Sequence, residues 1–243
     1  MLAIKYIRQV ERLIDQCKEQ ADSIGKGARL IADSIKRDGV LHVFGCGHSQ
    51  MYAEEIFYRA GGLVPVNPIL EPSLSLRPTA PKSTWFERLE GYASLIWEHE
   101  ETHPGEVVLI ASTSGRNAVP VEMAMEAKKR GLSVIALTSS LFSREVASRH
   151  PSGKKLMDLA DVVLDSKVPK GDAVMELEGL GAKFGPVSSI VGFTLLQALI
   201  VETISILVQE GVRPPVWVSS NLDEGDAVNR KYIQAYKKRI SCL

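Results

Sequence analysis

Two short segments combine glycine with hydroxyl-bearing residues where an apolar run gives way to a helical one: Ser112-Thr113-Ser114-Gly115-Arg116-Asn117 and Gly45-Cys46-Gly47-His48-Ser49. Unpaired N–H groups at the start of a helix, with its dipole, favour an anion there. The chemistry on offer is the grip of a phosphate. Ser112, Thr113 and Ser114 supply donors, Gly115 lets the backbone approach closely, and Asn117 either caps the helix or reaches a phosphate oxygen. One such turn alone reads as an ordinary helix cap. Two at strand ends read as the rim of a ligand crevice, because ligands of open α/β sheets bind outside the carboxyl ends of the strands. A third apolar run ends in Thr138-Ser139-Ser140, which would complete that rim. A dinucleotide fingerprint would need a third glycine where Gln50 stands, and no Gly-Lys-Ser/Thr is present.

Proton transfer needs a carboxylate or an imidazole within reach of the bound molecule. Glu54-Glu55 follows the first turn, and helical spacing groups Tyr52, Glu55 and Arg59 on one face, with Ala53, Ile56, Phe57 and Ala60 on the other. The plain alternative is a surface Glu55–Arg59 pair contributing about 0.3 kcal/mol. Glu202 is the ionisable residue well inside the apolar run 187–210; buried there, it must be paired, held protonated or facing a cavity. His48 lies in the first turn, within reach of a ligand. His42 alternates inside a strand and reads as a satisfied core residue, while His99, His103 and His150 sit in polar segments and are expected to face solvent. No His or carboxylate spacing suits a metal, so neither metal nor cofactor is expected.

The elements that must position these residues follow from periodicity. Residues 3–37 repeat apolar positions at helical spacing, with Gly25 and Gly27 as a possible break. VLHVFG, LVPVNPI, EVVLIAS, SVIALTS and ADVVLDS read as strands, the prolines placing the second at an edge. Helices are expected over about 50–60, 86–100, 118–130 and 187–210, a long loop over 71–84, a glycine-rich loop over 171–186 and a polar tail beyond 212. Strands alternating with helices predict one α/β domain. It is a three-layer αβα sandwich on a five-stranded parallel sheet, with a helical arm (1–37), a core (38–212) and a tail (213–243).

The 243 residues carry 29 basic and 29 acidic side chains and are 45% apolar, a globular composition giving no reason to expect nucleic acid or an anionic membrane as partner. Three scattered cysteines, Cys17, Cys46 and Cys242, support neither a zinc site nor a disulfide framework. The amphipathic start is not a signal peptide, and Gln197, Glu202 and Thr203 interrupt the longest apolar stretch. A reduced, cytoplasmic protein is the expectation.

The helical arm, GCGHS after the first strand and STSGRN after a later one together resemble the sugar isomerase (SIS) domain family, particularly its single-domain phosphoheptose isomerase-like members, over residues 25–212. The resemblance implies a flavodoxin-like fold and phosphosugar binding through Ser-x-Ser-Gly-x-Thr/Asn, here Ser112, Ser114, Gly115 and Asn117, with Ser49 from the first turn. It further implies Glu55 as base and Arg59 as a sugar contact. The family's histidine on the last helix is missing: Ile200 takes that position, and no histidine occurs between 151 and 243.

The expectation is therefore a phosphosugar isomerase or related phosphosugar-converting enzyme, with Glu55 as base and His48 or Glu202 assisting. Two alternatives stand beside it: a phosphosugar sensor without catalysis, and an amino-sugar-phosphate lyase or etherase. The arm is too short for a helix-turn-helix domain and lacks a basic recognition stripe. The arm and the apolar run 187–210 predict an isologous homodimer, or a higher oligomer.

Overall fold

The computed structural model describes residues 1–243. Strands β1 (Leu41–Gly45), β2 (Val66–Ile69), β3 (Val107–Ala111), β4 (Ser133–Thr138) and β5 (Val162–Asp165) form one parallel sheet in the order β2-β1-β3-β4-β5. β1 and β3 are buried throughout, which is why they carry continuous apolar runs rather than alternation. The two-residue side-chain period divides each strand between two cores. Leu41, Val43, Leu109 and Ala111 join one, beneath helices α1 (Leu2–Cys17), α2 (Ala21–Ile35), α3 (Met51–Ile56) and α8 (Ser188–Gln209). Phe44, Val108, Ile110 and Val134 join the other, beneath α5 (Tyr92–Glu98) and α6 (Ala118–Lys129). The short helices α4 (Ala80–Phe86) and α7 (Ser140–Arg144) lie at the sheet's carboxyl end, and α9 (Gly225–Tyr236) closes the chain. This is the expected αβα sandwich, and β2, with Pro68 in it, lies at the expected edge.

Several local expectations change. The arm breaks at a 3-10 turn, Lys18–Gln20, while α2 runs through Gly25 and Gly27. The absent side chain at Gly27 lets α2 settle against Leu199 and Ile135. Instead of one helix over 50–60, a 3-10 turn (Gly47–Gln50) leads into the six-residue α3. α3 stops because Phe57 is extended and Tyr58 adopts a left-handed backbone, φ 48°. Segment 71–84 is not one loop: it contains a 3-10 turn at Pro72–Leu74 and the start of α4, with a proline in its first turn. The helix expected over 86–100 is realised as α5 alone, with only Phe86 falling in α4. Residues 171–186 form an antiparallel hairpin of β6 (Ala173–Met175) and β7 (Phe184–Pro186). The polar tail is tied down by a bridge from Val216 to Leu63 and by α9. α8 has the length and mean hydropathy of a membrane span, 22 residues at 2.0, but it packs chiefly on α2, α1 and α3 as a core helix.

Candidate functional site

The strand order reverses direction between β1 and β3, so the chain leaves these neighbours towards opposite ends of the sheet. Their last residues, Gly45 and Ala111, lie side by side, and both hydroxyl-rich turns begin there. A cavity of about 430 Å³ opens above this switch point, where such sheets bind ligands. Ser49 and His48 line it from the first turn, and Ser112, Thr113, Ser114 and Asn117 from the second.

The second turn is held from behind. The Ser112 hydroxyl accepts a hydrogen bond from the Gly115 N–H (3.3 Å), and the Thr138 hydroxyl donates to the Thr113 carbonyl (3.2 Å). Gly115 sits at φ +60°, pressed against Leu156 and Thr138, so a side chain there would meet both backbone strain and a crowded wall. Ser139 caps α7 through the Phe142 N–H and donates to the Val168 carbonyl. Thr138 and Ser139, expected on the rim, are buried supports of the turn and do not line the cavity. Asn117 occupies the N-cap position of α6 without capping it. Its side chain accepts from Arg149 (2.8 Å) and lies beside Glu87.

Further walls come from elements whose role the sequence did not announce. α4 and the residue after it bring Ser83, Thr84 and Glu87; the hairpin and the start of α8 bring Asp172, Ser188 and Ser189. Burial pushes the Glu87 carboxyl upward, against the opposing pull of Asn117, Arg88 and Arg149. Asp172 has a left-handed backbone, φ 56°. One of its oxygens accepts from the Val187 and Ser188 N–H groups (3.0 and 2.7 Å), the other from the Ser188 hydroxyl (2.6 Å). It caps α8. The Tyr52 hydroxyl donates to the Ser188 carbonyl (2.8 Å) and, by burial, is pushed well above its ordinary range. It reaches that carbonyl across Gly192, where any side chain would overlap the phenol. Cys46 is likewise pushed up by burial and by neighbouring Glu87.

Glu55 and Arg59 stand elsewhere. The Glu55 carboxylate accepts from Gln197 on α8 (3.1 Å) and from Arg59 (3.0 Å), and neither residue lines the cavity of its own chain. Glu202 is neither buried nor paired: α8 turns it to the surface beside Val201, while Ile200 is buried. The apolar run misled because only one side of α8 faces the core. His42 is fully buried between Glu106 (3.1 Å) and Asn67 (3.1 Å), as expected of a core histidine. His99 and His103 are exposed, but His150 is half-buried near Glu122. No three metal-ligating side chains gather anywhere in the chain.

Turn, cavity and sheet order together define a class. Residues 5–139 match the SIS domain model. The chain belongs to the SIS domain family. It is 45% identical over 242 residues to a UPF0309 protein of Caldanaerobacter subterraneus subsp. tengcongensis, covering 98% of each chain. It is also 45% identical over 234 residues to a UPF0309 protein of Halalkalibacterium halodurans, covering 96% of this chain and 97% of that one. Among solved structures it is similar in fold to a phosphoheptose isomerase of Neisseria gonorrhoeae (TM-score 0.57, 16% identity, 84% of this chain and 97% of that one). A phosphoheptose isomerase of Francisella tularensis is also similar (TM-score 0.53, 14% identity, 84% and 96%).

Proposed function

We propose that the protein binds a phosphorylated sugar in this cavity and converts it, most simply as an aldose–ketose phosphosugar isomerase. The observation that carries the reading is the convergence of the two hydroxyl-rich turns at the switch point, at the start of α6 and over one cavity of sugar-phosphate size. Thr113, Ser114 and Ser49 turn their hydroxyls to the phosphate, Ser112 shapes the loop, and the α6 N-terminus adds its dipole. His48 stands at the wall to move hydroxyl protons. Glu55 and Arg59 would meet a substrate only across an assembly. Exposed Ile4 and Ile7 on α1 with Val201 and Val208 on α8 are the apolar surface for that assembly, an isologous homodimer.

The test is thermal stabilisation by a panel of sugar phosphates. A ligand at one hundred times its Kd stabilises by about 2.7 kcal/mol. The matching unphosphorylated sugars should give no shift. Absence of any response to sugar phosphates overturns the reading, and binding without turnover reduces it to a sensor.

A further inference from the structure

Proton transfer at carbon requires a group that can both take and return a proton at the cavity wall. Five titratable side chains line that wall: Cys46, His48, Tyr52, Glu87 and Asp172. Three are engaged or held out of range. Asp172 accepts three hydrogen bonds as the cap of α8, so its protonation would release the helix start. The Tyr52 hydroxyl is committed to the Ser188 carbonyl, and Cys46 is enclosed in the core. Glu87 and His48 remain.

Glu87 is also the better fixed of the two. It follows α4, and its backbone carbonyl accepts from the Val119 N–H in the first turn of α6 (3.1 Å). The helix that presents the phosphate turn therefore also anchors the carboxylate. Asn117, fixed by Arg149 (2.8 Å), stands beside the Glu87 carboxyl. No ion-pair contact with a Lys, Arg or His neutralises Glu87; Arg88 and Arg149 act on it only at longer range.

Resting on the phosphosugar reading above, we infer that Glu87 is the catalytic acid–base of this cavity, the carboxylate that touches the carbon-bound proton of the substrate. In an aldose–ketose conversion Glu87 takes the C2 proton, and the C–H electrons form the C1–C2 double bond as the carbonyl electrons move to O1. His48 gives a proton to O1 and recovers one from O2. Glu87 then returns its proton to C1 as C2 becomes the carbonyl. The proton count closes without a co-reactant. Groups facing Glu87 are Asn117 from α6, Arg149 and Arg88 from the adjoining loops, and Cys46 from the turn after β1. Burial dominates among them, so the carboxyl stays protonated to a higher pH than an ordinary one. That suits a group that must alternate between acid and base.

The experiment compares wild type, Glu87→Gln and Glu55→Gln in deuterium oxide, with fructose 6-phosphate and glucosamine 6-phosphate as substrates and inorganic phosphate as binding probe. Phosphate affinity is expected to agree within twofold across the three proteins. Incorporation of deuterium at carbon is expected to fall at least 100-fold in Glu87→Gln and by a smaller factor in Glu55→Gln. In the wild type the acid limb of the exchange rate should lie above the ordinary carboxyl range, and Glu87→Asp should restore part of the rate. Unchanged exchange in Glu87→Gln overturns the assignment, as does loss confined to Glu55→Gln. Wild type that binds sugar phosphates but exchanges no proton with either overturns it too, leaving the binding reading intact. Failure of every sugar phosphate to bind removes the phosphosugar reading first, a distinguishable result.

Discussion

Ser112 and Ser114 are two residues apart in one turn, yet substitution should affect them differently. Ser112 accepts the Gly115 N–H, so Ser112→Ala should destabilise the fold by about 1 kcal/mol as well as weaken phosphate binding. Ser114 supports no part of the turn. Ser114→Ala should leave Tm within about 1 °C and weaken phosphate-ester binding about tenfold, the loss of one hydrogen bond to a charged acceptor; calorimetric titration beside a melting curve separates the two. Glu87 gives a prediction of opposite sign. Its carboxyl is raised by burial, so the folded state binds a proton more tightly than the unfolded chain. Stability is therefore lost as pH rises from the unfolded value through the folded one. Glu87→Gln should raise Tm at pH 7, with the gain vanishing below about pH 4; a lower Tm at neutral pH would contradict this. At this scale the two turns that line the cavity were legible in sequence, because hydroxyls and glycine at a strand end announce themselves. Glu87 was not: it lies outside any motif, and the tie from the Val119 N–H of α6 to its backbone carbonyl, which holds it at the cavity, leaves no sequence signal.

At the scale of elements, α8 shows both what periodicity reveals and what it hides. Its apolar run was readable as a helix, but composition could not say that Glu202 and Val201 face outward, because a helix covered on one side needs only a stripe. The same holds for α3. Its apolar spacing predicted a helix to Ala60, and the left-handed Tyr58 that ends it four residues earlier leaves no signal, since Tyr is not a residue that favours that conformation. The α8 start offers a test of packing. Gly192 lies against the Tyr52 phenol, so Gly192→Ala should destabilise by about 1–3 kcal/mol through overpacking. Combining it with Tyr52→Ala should cost less than the sum of the two single changes, because the small residue vacates the space the new methyl needs. Urea denaturation of the four proteins gives the coupling, and strict additivity would refute the contact.

For the whole molecule, the end of the sheet opposite the cavity carries a second polar centre. Glu106 is buried and receives His42, the Val40 and His103 N–H groups and Arg239 from the C-terminal segment. Burial alone would raise its carboxyl, but His42, the His103 N–H and Arg239 outweigh that and hold it at about 2. A carboxyl depressed in the folded state contributes stability above its unfolded value of about 4.5 and loses it as pH falls towards 2. The contribution at pH 7 is roughly 3 kcal/mol. Unfolding free energy should therefore fall by a few kcal/mol between pH 5 and pH 2, and more shallowly in Glu106→Gln. The apolar surface of α1 and α8 belongs to the same scale. If it forms the homodimer proposed, Val201→Asp with Val208→Asp should yield monomers in sedimentation velocity without loss of helical signal; an unchanged sedimentation coefficient refutes that interface.

The Tyr6 hydroxyl on α1 donates to the carbonyl of Pro186 (2.6 Å), and Pro186 lines the cavity two residues before Ser188. The arm that carries the proposed assembly surface thus holds the strand that shapes the cavity wall. Two binding equilibria that share a structural part and influence each other must do so reciprocally. By whatever factor a phosphosugar tightens the association of two chains, association tightens the phosphosugar by the same factor. Ligand affinity should then depend on protein concentration, and replacing Tyr6 with Phe should weaken that dependence while leaving both equilibria in place.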